Sequence, residues 1–209
     1  MAARGPNRWF FDVWSRFYDI EVVQRATYRP IHDAVVEVLQ QRHCQRLLDV
    51  GCGTGQLATR VRDELGGVHV TGCDFSPGML AQANQRSDKV GWVRGNAMSL
   101  PFASATFDAV TTTEAFHWFP DQDAALAEFL RVLVPKGRLL LAVACPPLQV
   151  ISDLTHLGSR LIDEPFYWPT AGEMRQRIEA AGFRIETQRR VFRFPGLLFL
   201  PVLNVAVRP

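Results

Sequence analysis

From Arg46 onward, short runs rich in leucine and β-branched residues alternate with stretches of helical spacing about ten residues long. This alternation is the pattern of strand–helix–strand units, which fold into an α/β domain around a mainly parallel sheet. The apolar runs Arg46–Gly51, Val68–Cys73, Val90–Arg94, Phe107–Thr112 and Arg138–Val143 predict five strands. Their near-continuous apolarity suits strands covered by helices on both faces. Helix signals fall between them: Ser76-Pro77 offers an N-cap with proline at the first position, Asp121 caps a helix running to Leu133, and Thr170 with Glu173 makes a capping box closed by Gly182. Phe183–Phe192 and Val202–Val207, joined through Pro195-Gly196, predict two more strands and an antiparallel edge, for a doubly wound sheet of seven strands. The 209 residues suffice for one domain. Residues 1–45 and 146–169 fall outside the sheet and are expected to form an N-terminal helical lid and a lid insertion.

The first strand runs through Asp49 into Gly51-Cys52-Gly53-Thr54-Gly55, and helical spacing resumes at Gln56. Glycines there let the backbone approach a ligand and present amide donors at a helix N-terminus, where an anionic group is favoured. Asp74 ends the second strand 23 residues after Gly51, near the spacing at which a carboxylate accepts hydrogen bonds from ribose hydroxyls. The third glycine comes one residue too early for the dinucleotide fingerprint. An acid at Asp49, just before the loop, would also repel a pyrophosphate while suiting an ammonium group.

Leu48-Asp49-Val50-Gly51-Cys52-Gly53-Thr54-Gly55 resembles the first motif of the class I S-adenosylmethionine (SAM)-dependent methyltransferases, in particular their ubiquinone/menaquinone-biosynthesis-like group. Gly72 to Leu80, Gly95-Asn96-Ala97 with Leu100-Pro101-Phe102, Phe107-Asp108-Ala109-Val110 and Arg131 to Gly137 are similar to the motifs that follow in that family. The resemblance implies a Rossmann-like fold with SAM as cofactor. It implies that Asp49, Gly51, Cys52, Gly53 and Gly55 hold the methionine end, that Asp74 takes the ribose, and that Asn96 and Ala97 meet the adenine, with Phe75 and Met79 packed on the base. Asn96 stands where the family usually has Asp, so its amide carbonyl would accept without a charge. Asp108 is read as a turn-capping carboxylate.

Methyl transfer from a sulfonium depends chiefly on alignment, and a base is needed only where the acceptor must lose a proton. Thr113-Glu114-Ala115-Phe116-His117-Trp118-Phe119 follows the fourth strand, at the sheet end where ligands bind in open α/β folds. His117 is the candidate base and Glu114 the next, with packing beneath the cofactor as the other reading of His117. His32, His43, His69 and His156 have no evident partner and read as surface or packing residues.

Phe10, Val13, Trp14 and Phe17 share a helical face, and Phe17-Tyr18-Asp19 resembles the entry segment of quinone-type family members, which makes Tyr18 a lid contact to the cofactor. Leu154, Leu157, Leu161, Phe166, Tyr167 and Trp168 make the second lid apolar and favour a small apolar or quinone/phenol-like acceptor. Arg160 and Arg175 keep a small carboxylic acid open as acceptor. A SAM-binding protein without catalysis, acting through partners, and a nicotinamide oxidoreductase are further alternatives. The net charge of +2, with no basic run interleaved by aromatics, does not point to nucleic acid. Cys44, Cys52, Cys73 and Cys145 lack zinc-ligand spacing and fit reduced thiols. Neither a secretory leader nor a membrane-spanning run is evident, so a cytoplasmic protein without stable membrane insertion is expected.

Overall fold

The computed structural model describes residues 28–42, 44–162, 167–191 and 200–209. Strands β1 (Arg46–Val50), β2 (His69–Asp74), β3 (Gly91–Arg94), β4 (Phe107–Thr113), β5 (Leu133–Cys145), β6 (Arg184–Arg190) and β7 (Leu200–Val207) form one sheet of seven, ordered β3-β2-β1-β4-β5-β7-β6. The first five pair in parallel. β7 runs antiparallel to both β5 and β6, so the antiparallel strand sits one place in from the edge and β6 points the same way as β5. The expected α/β sheet of seven strands with an antiparallel margin is therefore present.

Six α-helices accompany the sheet among the described residues: α1 (Arg29–Gln40), α2 (Gln56–Glu64), α3 (Pro77–Arg86), α4 (Gln122–Val132), α5 (Gln149–Ile162) and α6 (Ala171–Ala180). Their starts follow the capping chemistry read from the sequence. Ser76 Oγ accepts from the Met79 amide at 3.2 Å, Asp121 Oδ1 accepts from the Ala124 amide at 2.9 Å, and Thr170 and Glu173 cap each other reciprocally. Gly182, at φ +96°, ends α6 in the left-handed region.

β5 is the one strand that differs greatly from its expected bounds. It begins at Leu133, directly after α4, and Leu133 pairs with Phe107 before the register shifts to Ala109 opposite Arg138. Pro135-Lys136-Gly137 lie inside this irregularity, with Lys136 at φ +66°. A proline, a left-handed residue and a glycine read locally as a turn, whereas the structure absorbs them as a bulge.

The period-two side-chain alternation of a strand divides the core into two layers. Leu48, Val50, Leu139 and Leu141 join Leu126, Phe129, Met174 and Ile178 from α4 and α6 on one face. Leu47, Leu140 and Ala142 join Ile31, Val35, Leu57 and Val61 from α1 and α2 on the other. Residues 29–40 of the expected N-terminal lid are thus a helix that covers the sheet. Arg60 ties α2 to α1 through Asp33, at 2.6 Å, while also meeting Glu64. Among the described residues no helix is long and apolar enough to cross a membrane.

Candidate functional site

Strand order reverses at β1, which lies between β2 and β4, and the carboxyl ends of these three strands open onto one crevice. The chain leaves β1 through Gly51, whose amide donates to the Cys73 carbonyl at 2.8 Å and whose φ is +69°. A Cβ on Gly51 would lie 2.5 Å from that of Ala115, so glycine is what allows the segment after β4 to close over the loop. Gly55 caps α2 at φ +78°, and a Cβ there would lie 2.4 Å from the Trp92 indole. Trp92 also covers Gly72 and is fixed by donating from Nε1 to the Ser87 carbonyl at 2.9 Å. Beside Gly53, in contrast, a Cβ would meet only Met79 Sδ, at 3.9 Å.

Two buried carboxylates flank this loop. Asp49, 2% exposed, accepts from Thr111 Oγ1 at 3.0 Å. Burial pushes its pKa up to about 7, against the pull of that hydrogen bond, and the nearby Asp74 charge adds to the rise. Asp74 accepts from the Gly53 amide through Oδ2 and from the Ser76 amide through Oδ1, both at 2.9 Å. It therefore holds the glycine loop and the start of α3 in one arrangement. Two acceptor groups at adjacent strand tips, held in little water, suit a ligand that brings a cation and hydroxyl donors. The residues present thus fit the charged amino-acid end and the ribose of a nucleoside-bearing cofactor.

The remaining expected contacts are placed as follows. Phe75 is half-buried, and Met79, 5% exposed, lies beside the open Gly53. Asn96 is exposed; its Oδ1 accepts from the Met98 amide at 3.1 Å, so part of its acceptor capacity holds its own turn. Ala97 is buried in the core layer beneath. Cys52 flanks both carboxylates, and burial first, then the Asp74 and Asp49 charges, push its thiol well above the usual range. Asp108 accepts from the amides of Gln45 and Arg46 at 2.9 and 2.7 Å, capping the entry to β1. Tyr18 lies outside the described residues.

After β4 the chain passes through Glu114, at φ +54°, into a 3-10 turn over Phe116–Trp118. A positive φ costs a residue with a side chain roughly 1–2 kcal/mol, and such strain gathers at functional sites. The His117 imidazole is buried between Trp118 and Trp168, with ring centroids 5.1 and 5.4 Å away. Its carbonyl accepts from the Tyr167 amide at 3.0 Å. Gln122, 5% exposed, donates to the carbonyls of Phe116 at 3.3 Å and Tyr167 at 3.2 Å, binding the turn to the segment before α6.

That segment belongs to the expected lid insertion, most of which is α5. Gln149 and Ser152 of α5 donate to Glu173 at 2.8 and 3.2 Å, and Ser152 also donates to the Trp168 carbonyl. Burial would raise the Glu173 pKa, but hydrogen bonds from Gln149, Thr170 and Tyr167 outweigh it and hold the carboxyl at about 2. Leu148 before the helix and Val150, Leu154 and Leu157 within it are exposed, whereas Ser152 is buried and turned toward Trp168.

Sequence reasoning passed over Thr111, Gln122, Trp92 and, at a small cavity of about 30 Å³ beside the glycine loop, Tyr28 and His32. That cavity is also lined by Asp49, Cys52, Gln56 and Thr113. Burial, with the Arg60 charge, lowers His32 to about 4 against the opposing charge of Asp33. His32 stands one turn into α1, and only the helical register after Pro30 could have hinted at it.

The protein-family model described as "Methyltransferase domain" matches residues 48–141. Demethylmenaquinone methyltransferase of Thermus thermophilus is 38% identical over 116 residues, covering 54% of this chain and 53% of its own. Demethylmenaquinone methyltransferase of Deinococcus radiodurans is 30% identical over 177 residues, 73% of each chain. The chain spans about half the length of the Thermus protein (53%) and of most of the other curated relatives it matches. Among solved structures, a SAM-dependent methyltransferase of Thermotoga maritima superposes with a TM-score of 0.74 at 17% identity, over 97% of this chain and 100% of that one, a likeness of fold.

Proposed function

Because the chain belongs to the class I SAM-dependent methyltransferases of the ubiquinone/menaquinone group, we propose that it moves a methyl group from SAM to a small lipophilic, quinone- or phenol-like acceptor. The observation that carries this reading is the pair of buried carboxylates, Asp49 and Asp74, set around a glycine loop whose Gly53 is left open. Bound there, SAM would supply an electrophilic methyl group on a sulfonium. Asp74 is the acceptor for the ribose hydroxyls, Asp49 faces the ammonium, and Met79 and Phe75 offer apolar surface to the base. Asn96 and Ala97 border the adenine. Tyr18 is proposed as a lid contact.

His117 is proposed as the base that takes a proton from the acceptor, with Glu114 next to it on the same strained turn. The indoles of Trp118 and Trp168 keep water from the imidazole and give the acceptor an aromatic wall. The partner in this reading is a small-molecule acceptor, and the protein is proposed to work in the cytoplasm.

The test is to incubate the protein with methyl-labelled SAM and an extract of host cytosol and membranes, then partition the label between organic and aqueous phases. Label in the organic phase that disappears with Asp74→Ala supports a lipophilic acceptor. Label confined to the aqueous phase overturns that acceptor class in favour of a small acid. Binding of SAM without transfer overturns the enzymatic reading.

A further inference from the structure

The large apolar side chains that stand exposed among the described residues, Leu148, Val150, Leu154 and Leu157, all belong to one short stretch of chain. Val150, Leu154 and Leu157 follow the four-and-three spacing of a single helical face of α5. The side turned inward is fixed to the body of the domain. Ser152 is fully buried and donates to the Trp168 carbonyl at 3.0 Å and to Glu173 at 3.2 Å, and Gln149 donates to Glu173 at 2.8 Å. The helix cannot roll to hide its leucines without breaking these bonds. Apolar side chains gathered in one exposed row mark a surface that meets a partner or a membrane.

A cation stands near the start of this row. Gln188 of β6 donates to the Ala171 carbonyl of α6 and to Asn204, both at 2.8 Å, so Arg190, two residues on, shares the sheet face that α5 and α6 cover. Arg190 pairs in register with Val202, and Val202 with Val143, close to the end of β5. Leu148 follows that end by three residues. In keeping with this placement, burial pushes the Cys145 thiol up to about 12, the Glu114 charge adds to the rise and the Arg190 charge opposes it. Other arginines nearby are taken up, Arg189 by Glu37 on the other face at 2.8 Å and Arg175 by Glu179 at 3.7 Å. Arg190 is exposed and makes no ion pair among the described residues.

We propose that α5 docks flat on an anionic lipid bilayer, with the row from Leu148 to Leu157 at the boundary of headgroups and acyl chains and Arg190 on lipid phosphates. α5 has 14 residues against the roughly 20 that a span needs, so it lies along the surface instead of crossing. A guanidinium matches phosphate oxygens in pairs and adds the charge attraction that an apolar row alone lacks. The Ser152 bond to the Trp168 carbonyl joins the docked helix to the wall of the acceptor site. What the docking serves, delivery of an acceptor from the bilayer, rests on the lipophilic-acceptor reading above.

The full chain is mixed with vesicles of phosphatidylcholine, alone or with phosphatidylglycerol, in the absence of SAM and acceptor, and bound protein is measured by sedimentation. The wild type should favour the anionic vesicles by at least about fivefold, and salt should weaken that binding. Leu154→Ser combined with Leu157→Ser should lose about tenfold or more on the anionic vesicles. Arg190→Gln should lose about fivefold there, the weight of one cation at an anionic surface, and little on the neutral ones. Both variants should melt with the wild type, since the replaced side chains stand largely in water. Absence of wild-type binding overturns the proposal, as does binding that survives the leucine pair. Equal binding to the two vesicles overturns the headgroup contact and the proposal with it. A wild-type dimer that the leucine pair splits, without vesicle binding, gives the row to a second copy instead and overturns it too. Should the leucine pair not fold, hydrogen exchange on the wild type decides. The α5 amides must gain protection with anionic vesicles while those of α2, on the other sheet face, do not; protection of both, or of neither, overturns the assignment. Because the assay holds neither SAM nor acceptor, its failure leaves the methyltransferase reading standing, and a failed transfer experiment leaves this binding measurable.

Discussion

Thr111 donates a 3.0 Å hydrogen bond to Asp49 across the β1–β4 pairing, with Thr111 fully buried and Asp49 2% exposed. The bond counters the burial that pushes the Asp49 pKa up to about 7. Thr111→Val keeps the shape and removes the donor, so the pKa should rise further and more of Asp49 should be protonated at neutral pH. SAM affinity near pH 7 should fall by about tenfold, the consequence of leaving a buried acceptor without its donor. It should recover toward about pH 9, where the carboxyl ionises again. Calorimetric titrations across that range check both the loss and the recovery.

The same carboxyl sets a slope in stability. Asp49 titrates at about 7 in the folded protein against an ordinary value of 3.8. Between those values the unfolded chain has given up a proton that the folded one keeps, so this group makes folding less favourable as pH rises through the window. Asp49→Asn removes that slope. In denaturant unfolding, the variant should gain on the wild type from about pH 4 to about pH 7, and level off above.

Glycine at 55 and at 72 answers to the same indole for different reasons. A Cβ at either position would lie 2.4 Å from Trp92, but only Gly55 also sits at positive φ. Gly72→Ala should cost about 1–3 kcal/mol by overpacking, and Trp92→Leu in the same chain should recover part of it. Gly55→Ala adds roughly 1–2 kcal/mol of backbone strain that no change at Trp92 relieves. Paired thermal melts of the single and double variants check this.

Gln122 and His117 are separable by kinetics. His117→Ala should lower kcat by about a hundredfold or more if the imidazole is the base, with SAM affinity unchanged. Gln122→Leu leaves the imidazole in place but removes the donor that joins the Phe116 and Tyr167 carbonyls. It should destabilise the protein by about 1–3 kcal/mol and raise the acceptor KM. Steady-state kinetics against acceptor concentration distinguish the two patterns.

Asp108→Ala provides the contrast. Its carboxylate caps the amides of Gln45 and Arg46 at the far end of β1 from the site. Stability should drop by about 1 kcal/mol while SAM affinity stays unchanged, as unfolding curves and titrations would show.

Much of the sheet was legible because strand apolarity, caps and glycines are local signals. Ser76, Asp121 and the Thr170–Glu173 pair each announce a helix start within four residues. The strand beginning at Leu133 was hidden, because Pro135 to Gly137 read as a turn and only pairing with β4 draws them into the sheet. The strand-tip acids Asp49 and Asp74 could be read from their place next to glycines. Thr111 and Gln122 could not, since each acts on a group brought near by tertiary packing, 62 residues away for Thr111 and Asp49 and 45 for Gln122 and Tyr167. A polar residue in an apolar run carries no mark of the partner that the fold will give it.

β7 lies between β5 and β6, although both precede it in the chain. Among the described residues β6 pairs with β7 alone, so it has no place in the sheet until β7 has docked along β5. A ribosome making this chain therefore delivers the outermost strand before the one that must separate it from the rest. The last third of the domain waits, with the flank of β5 uncovered, for residues that emerge later. Nascent chains stalled before Leu200 should accordingly leave β5 open to chaperones or to another chain's strand, whereas those extended past Val207 should not.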